Sequence, residues 1–336
     1  MTANVDTQPI SRDVLRIDPE RVVAEIVEAM RALVGRGMRR QGGVVGVSGG
    51  IDSSVTLGLC AKALGPERSL AVLMPEADSD DETLSLSRSV ADAFGVEAVV
   101  EDITPILAAT RCYERRDEAV RAVVPEYGDG WRFKIVLPSV VGSTGYRLFS
   151  VVAQSPDGET IEARLPAREY LAIVAATNFK QRTRKMLEYF HADRLNYAVI
   201  GTPNRLEYDQ GFFVKLGDGA ADVKPIAHLY KSQVYQLAEY LGVPQQVRER
   251  PPTTDTYSLP QGQDEFYFSL PHAEMDLCLY GRDNDIAPER VAPAIGIAAE
   301  DVVRVYADID QKRRTTRYLH LSAQLVEPVA LVPFPA

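Results

Sequence analysis

Apolar residues return along this chain with two different periods, and their alternation lays out the fold before any motif is considered. Across residues 18–34, Val22, Val23, Ile26, Met30 and Leu33 share one face of a 3.6-residue repeat, which predicts an amphipathic helix ended by Gly35 and Gly37. A short β-branched run at 43–47 closes in a glycine turn, and 53–64 reads as a helix stopped by Gly65 and Pro66. Residues 70–74 form a second buried strand in this reading, 80–94 a second helix, and 98–100 the core of a third strand. Strands alternating with helices predict an α/β fold, a doubly wound and mainly parallel sheet.

After a helical stretch at 104–123 the pattern changes. Residues 131–137, 146–154 and 160–165 have strand composition and are separated by turn signals, among them Ser155-Pro156-Asp157-Gly158, so about 125–166 is expected to be an antiparallel β insert. Helical character resumes at 167–192, and a buried strand at 197–200 returns the chain to the parallel sheet. Residues 231–241 place Val234, Leu237, Ala238 and Leu241 on one helical side. The Pro- and Thr-rich stretch 250–263 is a long loop of the kind that carries function. Helices at about 271–279, 287–295 and 299–315 precede an irregular tail at 321–336, so 1–320 is read as a single domain with no internal repeat.

Composition narrows the chemistry only slightly. With 336 residues, 46% apolar and 25% charged, the chain has ample material for a folded core. A net charge of -10 argues against nonspecific nucleic-acid binding, while leaving room for a local basic site. Cys60, Cys112 and Cys278 lie far apart, form no CxxC pair and are expected to be small core residues of a reducing compartment. No apolar run reaches membrane-spanning length and residues 1–12 lack a signal-peptide core, so a cytoplasmic protein without a membrane partner is expected.

The densest chemistry lies in Ser48-Gly49-Gly50-Ile51-Asp52-Ser53-Ser54, between the first strand and the helix after it. Two glycines there let successive backbone amides face one point, and the helix N-terminus adds its positive end, which together make a cradle for phosphate. No Lys-Ser/Thr pair follows as in the Walker loop, and the GxGxxG spacing is absent. A plain tight turn with an ordinary helix cap is the alternative, but neither requires Ser on both sides of Gly-Gly with Asp at this spacing.

This loop resembles the signature of adenine-nucleotide alpha hydrolases, which split ATP between its α and β phosphates. Further on, Asn178-Phe179-Lys180-Gln181-Arg182, Gly201-Thr202-Pro203-Asn204, the run from Gly211 to Asp222 and Pro225-Ile226…Leu229-Tyr230-Lys231 follow in the order and spacing of NAD synthetases. The resemblance spans about 20–320 and implies an ATP-dependent ligase, with adenylation of the nicotinate carboxylate of deamido-NAD followed by attack of ammonia. By that resemblance, Gly46, Ser48, Gly49, Gly50, Asp52, Ser53, Ser54, Thr202 and Lys231 would bind ATP. Asp52 and Glu207 would hold Mg2+, a hard ion suited to carboxylates and substrate phosphates. Lys215 and Lys231 would offset developing negative charge, and Thr253 and Thr254 would hydrogen-bond the phosphoryl group. Asn178, Arg182, Tyr189, Lys215, Asp218, Asp222 and Lys312 would meet the acid substrate, with the Tyr crossing a homodimer interface. Read without the resemblance, Tyr189 is a core residue, Asp218 a turn residue and 180–185 a solvated helix face.

The chain departs from the family pattern in three places. The insert has no counterpart in the compact bacterial enzymes, and the loop after Asp255 is rich in Tyr and Gln. The family's His-Lys-Arg triplet is matched only as Gln311-Lys312-Arg313. About forty residues before the phosphate loop are too few for a glutaminase, so free ammonia or a separate glutaminase partner is expected to supply nitrogen. The insert also motivates an alternative, a paralogue that amidates another carboxylate in a biosynthetic pathway.

Overall fold

A helix start written into the sequence opens the ordered chain. In the computed structural model, which describes residues 8–142, 147–251 and 256–330, α1 (Pro19–Arg31) begins at Asp18, whose carboxylate accepts the Arg21 N–H at 3.2 Å. Proline at the first helical position sacrifices no hydrogen bond there. The helix continues through a wide turn, residues 32–37, into β1 (Gly43–Gly46).

α2 (Ile51–Leu64), β2 (Ser69–Leu73), α3 (Asp81–Ala93) and β3 (Glu97–Val100) follow in the predicted alternation. The helical stretch expected at 104–123 is two helices, α4 (Thr104–Ala109) and α5 (Cys112–Arg121). Arg111 breaks it by adopting a left-handed φ of 56°, a conformation a helix cannot propagate. Next come β4 (Arg132–Val136), β5 (Ser150–Gln154) and β6 (Thr160–Arg164), then α6 (Ala167–Leu195) and β7 (Ala198–Ile200). The chain finishes with α7 (Arg205–Gln210), α8 (Lys231–Leu241), α9 (Gln245–Glu249), α10 (His272–Asp283), α11 (Pro288–Ile295) and α12 (Ala299–Thr316).

The strands divide into two sheets. One is wholly parallel, in the order β3-β2-β1-β7, and the other is antiparallel, in the order β4-β5-β6. Alternation along the parallel strands separates two cores. Val45, Ala71, Leu73 and Ile200 face α1, α2 and α8, whereas Val44, Leu70, Val72 and Val199 face Ile103, Leu107 and Cys112 under α6. Each of these strand side chains is at most 3% exposed, so each contributes roughly 1.5–3 kcal/mol where it is large and aliphatic. All three cysteines are buried as free thiols.

α6 inverts the usual helix pattern. Its inward side carries Thr177, Lys180, Thr183, Lys185, Glu188 and His191, while Leu171, Met186 and Phe190 point outward. A long helix with a charged buried face signals that its neighbour is a polar site rather than a core.

The antiparallel sheet packs beside α5 and α6 through Phe133, Ile135, Val151 and Ala153, which meet Val120, Val124, Ile173 and Tyr257. A third core lies among α10, α11 and α12, where Met275, Leu279, Val291, Val302, Val305 and Ile309 are buried. No helix among the described residues is long and apolar enough to cross a membrane.

Candidate active site

The parallel sheet ends at a cleft where β1 hands over to α2. Val47 still bonds β2, its N–H reaching the Val72 carbonyl at 3.0 Å, and the chain then turns through Ser48, Gly49 and Gly50. Gly49 holds φ at +71°, and a Cβ there would come within 3.0 Å of Leu86 Cβ and 3.1 Å of the Thr83 carbonyl. Both backbone conformation and space therefore require glycine. Ser53 Oγ accepts the Ser48 N–H at 3.3 Å and donates to the Gly50 carbonyl at 3.0 Å, so the loop is locked by its own serine. Ser54 Oγ donates to the same carbonyl at 2.8 Å and is fully buried.

Asp52 projects from the first turn of α2 into a charged group assembled from three helices. Its Oδ1 accepts from the Asn204 side-chain amide at 3.2 Å, and its Oδ2 accepts from Lys231 Nζ. Asn204 and Glu207 form a reciprocal capping box at the start of α7, which fixes the Glu207 side chain. Gln263 donates to Glu207 Oε1 at 3.1 Å.

Lys231, the first residue of α8, is 2% exposed. Its backbone N–H and that of Ser232 are accepted by the buried Asp276 carboxylate of α10, at 3.2 and 2.6 Å, so a neighbouring helix helps to cap α8. Burial lifts the Asp276 pKa to about 6 against these hydrogen bonds.

The charges of the group act on one another. Burial first, and the Asp52 charge second, raise the Glu207 pKa despite the opposing pull of Lys231. Burial disfavours the charged Lys231, yet Asp52 and Glu207 outweigh it and raise the lysine's pKa. Two enclosed carboxylates thus share one buried ammonium. A second group closes the cleft from α6, where Lys185 pairs with Glu188 at 2.6 Å. Gly46 lies close beneath it: a Cβ there would stand 2.7 Å from Glu188 Oε1 and displace that side chain.

A cavity of about 420 Å³ connects these parts. Among the residues expected to act, it brings together Gly46, Ser48, Gly49, Gly50, Asp52, Ser53, Asn178, Thr202, Glu207, Asp218 and Lys231. Asp218 accepts the Val214 N–H at 2.7 Å, and burial raises its pKa.

Six others stand apart from the lining. Ser54 is turned into α2; Arg182 is exposed and donates to the Lys215 carbonyl at 3.4 Å; Lys215 Nζ reaches the carbonyls of Tyr318 and Leu321 at 2.7 and 2.9 Å. Tyr189 donates to Asp222 Oδ1 at 3.4 Å, and the other oxygen of Asp222 accepts the Val199 N–H of β7. Lys312 is buried, pairs with Asp308 at 2.6 Å and donates to the Tyr267 carbonyl, with burial lowering its pKa. Thr253 and Thr254 lie outside the described residues.

Several cavity residues had no role in the sequence reading. Lys180 is 1% exposed and not on a solvated face: its Nζ meets Glu76 at 2.8 Å, Asp78 at 2.7 Å and the Thr256 carbonyl at 3.0 Å. Lys185, Glu188 and Gln263 also line the cavity, and Asn204 and Asp276 hold Asp52 and Lys231 from outside its lining. Asn204 was legible, since Asn followed three residues later by Glu is a capping-box signature. The others depend on contacts between segments distant in sequence.

Proteins of similar sequence are known. The NAD synthase family profile matches residues 22–124 and 158–318. The NH3-dependent NAD+ synthetase of Rhizobium rhizogenes is 59% identical over 320 residues, covering 95% of this chain and 96% of that protein. The enzyme of the same name from Thermotoga neapolitana is 38% identical over 240 residues, covering 71% and 77%. Among solved structures, the NH3-dependent NAD synthetase of Campylobacter jejuni aligns with a TM-score of 0.61 at 20% identity, over 93% of this chain and 100% of that one. The NMN synthetase of Francisella tularensis aligns at 0.63 and 21%, over 95% and 99%; both share the fold. The cleft at the end of β1, its charged residues and the matched stretches on either side of the insert agree: this chain belongs to the NAD synthase family.

Proposed function

We propose that this protein converts deamido-NAD to NAD, consuming ATP and ammonia and releasing AMP and pyrophosphate. The observation that carries the reading is the meeting of the Ser48–Ser53 loop with Asp52, Glu207 and Lys231 in one cleft, in a chain of this family. A carboxylate is a poor acyl donor until one of its oxygens becomes a good leaving group. The nicotinate oxygen attacks the α-phosphorus of ATP, the bond to the bridging oxygen breaks, and pyrophosphate departs. Ammonia then attacks the acyl carbon of the mixed anhydride, AMP leaves, and the nitrogen loses a proton.

The chain's own groups serve these steps in definable ways. The amides of Gly49 and Gly50 and the N-terminus of α2 receive the leaving pyrophosphate, with Ser48 and Ser53 holding the loop and Ser54 anchoring it from below. Thr202 and Gly46 border the nucleotide, and Lys231 offsets the charge that develops on the α-phosphoryl group. Asp52 and Glu207 fit Mg2+, since two close carboxylates beside a phosphate cradle are its usual protein share of ligands. When bound, the ion would neutralise phosphate charge.

Asn178 and Asp218 border the acid substrate. Arg182, Tyr189, Lys215, Asp222 and Lys312 extend this site outward, towards a second copy of the chain. Leu171, Met186 and Phe190, 63%, 55% and 56% exposed, lie on α6 with Arg182 and Tyr189, and this apolar stripe supports a homodimer. Thr253 and Thr254 are assigned to the phosphoryl group by the family pattern. Nitrogen enters as free ammonia or from a separate glutaminase, and the buried free thiols accord with the cytoplasm.

The test is a steady-state assay with ATP, magnesium, ammonium and deamido-NAD. Formation of NAD with equimolar pyrophosphate is expected. A protein that binds ATP yet forms no NAD overturns the reading.

A further inference from the structure

The match to the family skips residues 125–157, the part of the chain that builds β4 and β5. A sheet of three strands has two edges, and an edge strand presents unpaired N–H and C=O groups. Arg132, Lys134 and Val136 are the β4 positions between which the free-edge residues alternate. Phe133, Ile135 and Leu137 turn their backbone groups away from β5, and all three find partners in one segment, 258–265. Phe133 donates its N–H to Ser258 Oγ at 2.9 Å, and its carbonyl accepts the Leu259 N–H at 3.0 Å. The Ile135 carbonyl accepts from the buried side-chain amide of Gln261. Leu137 donates its N–H to the Glu265 carbonyl at 3.1 Å, and Lys134 pairs with the Glu265 side chain.

Side chains reinforce this edge. The rings of Phe133 and Tyr257 meet edge to face at 5.3 Å, and Phe149, which precedes β5, lies 6.2 Å from Phe266 and stacks on Tyr170 at 4.1 Å. Tyr257 is 5% exposed, in the same core as Phe133, Ile135 and Val151.

The held segment is a wall of the reaction cavity. Thr256, Tyr257, Gln263, Phe266 and Tyr267 all line it. Gln263 stands between the part bonded to β4 and Glu207 Oε1, which it meets at 3.1 Å. One line of contacts therefore runs from the insert through residues 258–265 to a carboxylate of the charged group.

We propose that the antiparallel insert is the scaffold of this wall, and that through it Gln261 and Ser258 act as positioning residues that keep water from the adenylated intermediate. The inference rests on the reaction assigned above. An acyl adenylate survives only where water is excluded, and a wall set on a rigid sheet edge excludes it better than a free loop. Without that setting, water replaces ammonia as the attacking group. The acyl–oxygen bond then breaks with return of the free acid and loss of AMP, and ATP is spent without amide.

The experiment measures pyrophosphate released per NAD formed, with subsaturating ammonium, for the parent, Ser258→Ala, Ser258→Thr, Gln261→Ala and Glu162→Ala. The parent is expected near one. Ser258→Ala and Gln261→Ala are expected to raise the ratio at least threefold and lower kcat for NAD about tenfold, with KM for ATP within twofold. Ser258→Thr, which keeps the accepting hydroxyl, returns the ratio to the parent's value. Glu162→Ala, on the exposed face of β6, leaves it unchanged.

Ratios at one in both alanine variants, in proteins that melt with the parent, overturn the inference while the assigned reaction stands. Equal rises in Glu162→Ala or Ser258→Thr overturn it as well, because general loosening then explains the effect. If Gln261→Ala fails to fold, Ser258→Ala, which removes one half-buried acceptor, decides the matter. A parent that makes no NAD overturns the assigned reaction, and this inference with it.

Discussion

Replacing Glu207 by Gln separates what the charged group does for the fold from what it does for chemistry. The substitution keeps the shape and the capping-box position, where Gln serves as well as Glu, but removes one of two enclosed negative charges. Glu207 accepts both the Asn204 N–H and the Gln263 amide at 3.1 Å, and a Gln has one acceptor oxygen for those two donors. The lost hydrogen bond costs about 0.5–1.5 kcal/mol.

Against it stands relief of burial and of repulsion from Asp52, which raise the Glu207 pKa in the ligand-free protein. Each tenfold change in proton affinity is worth about 1.4 kcal/mol, so with the carboxyl pushed up from 4.5 to about 8 the relief at pH 8 is at most on the order of 4 kcal/mol. A carboxyl whose folded pKa is raised contributes stability that is present below its unfolded value, 4.5, and lost as pH rises through the folded one. The ligand-free parent therefore loses stability to this group on going from pH 5 to pH 8, and Glu207→Gln does not.

Melting curves at the two pH values are expected to place the variant below the parent at pH 5 and level with it or above it at pH 8. Activity goes the other way. If Glu207 holds Mg2+ as proposed above, its loss removes several kcal/mol of charge neutralisation, and NAD formation should fall at least about 100-fold. A variant within threefold of parental activity, or one displaced equally at both pH values, refutes the reasoning.

Three further outcomes follow from the same structure. Lys231→Met should lower kcat about 10²–10³-fold in the pyrophosphate-release assay, because in the role proposed above it is the preorganised cation at the reacting phosphoryl group. Gly49→Ala should weaken ATP binding measured by calorimetry and destabilise the fold by roughly 1–3 kcal/mol, since its φ is +71° and Leu86 and Thr83 crowd the added carbon. Lys180→Met should cost about 3–5 kcal/mol in urea unfolding, because the buried Glu76 is left without its ammonium while Asp78 keeps Arg116, and an exposed-lysine control such as Lys62→Met should cost under about 0.5 kcal/mol.

Periodicity was a good guide wherever a strand or helix buries an apolar face. α1, α2, β1, β2 and the three insert strands lie close to where spacing and turn residues put them. It failed at Arg111, because nothing in residue type requires a left-handed turn at an arginine. α6 was visible as a helix, but its orientation was not. Lys180 and Lys185 look like surface residues to any hydropathy argument, and they are buried because Glu76, Asp78 and Glu188 neutralise them there. Short elements such as α7 and α9 carry too few residues for a period to register.

Local chemistry sufficed for the turn after β1. Gly49 and Gly50 bend their own backbone and Ser53 ties it to the first turn of its own helix, so consecutive residues specify the turn. The identity of the family was equally local, carried by short motifs in fixed order. Long-range folding alone brought Lys231 and Glu207 to Asp52, across separations of 179 and 155 residues, and set Asp276 under Lys231. It likewise laid residues 258–265 on the free edge of β4. The physical reason is that hydrogen-bonded turns and helix starts are satisfied by near neighbours, whereas buried charges and sheet edges are satisfied by whatever partner the packed chain delivers.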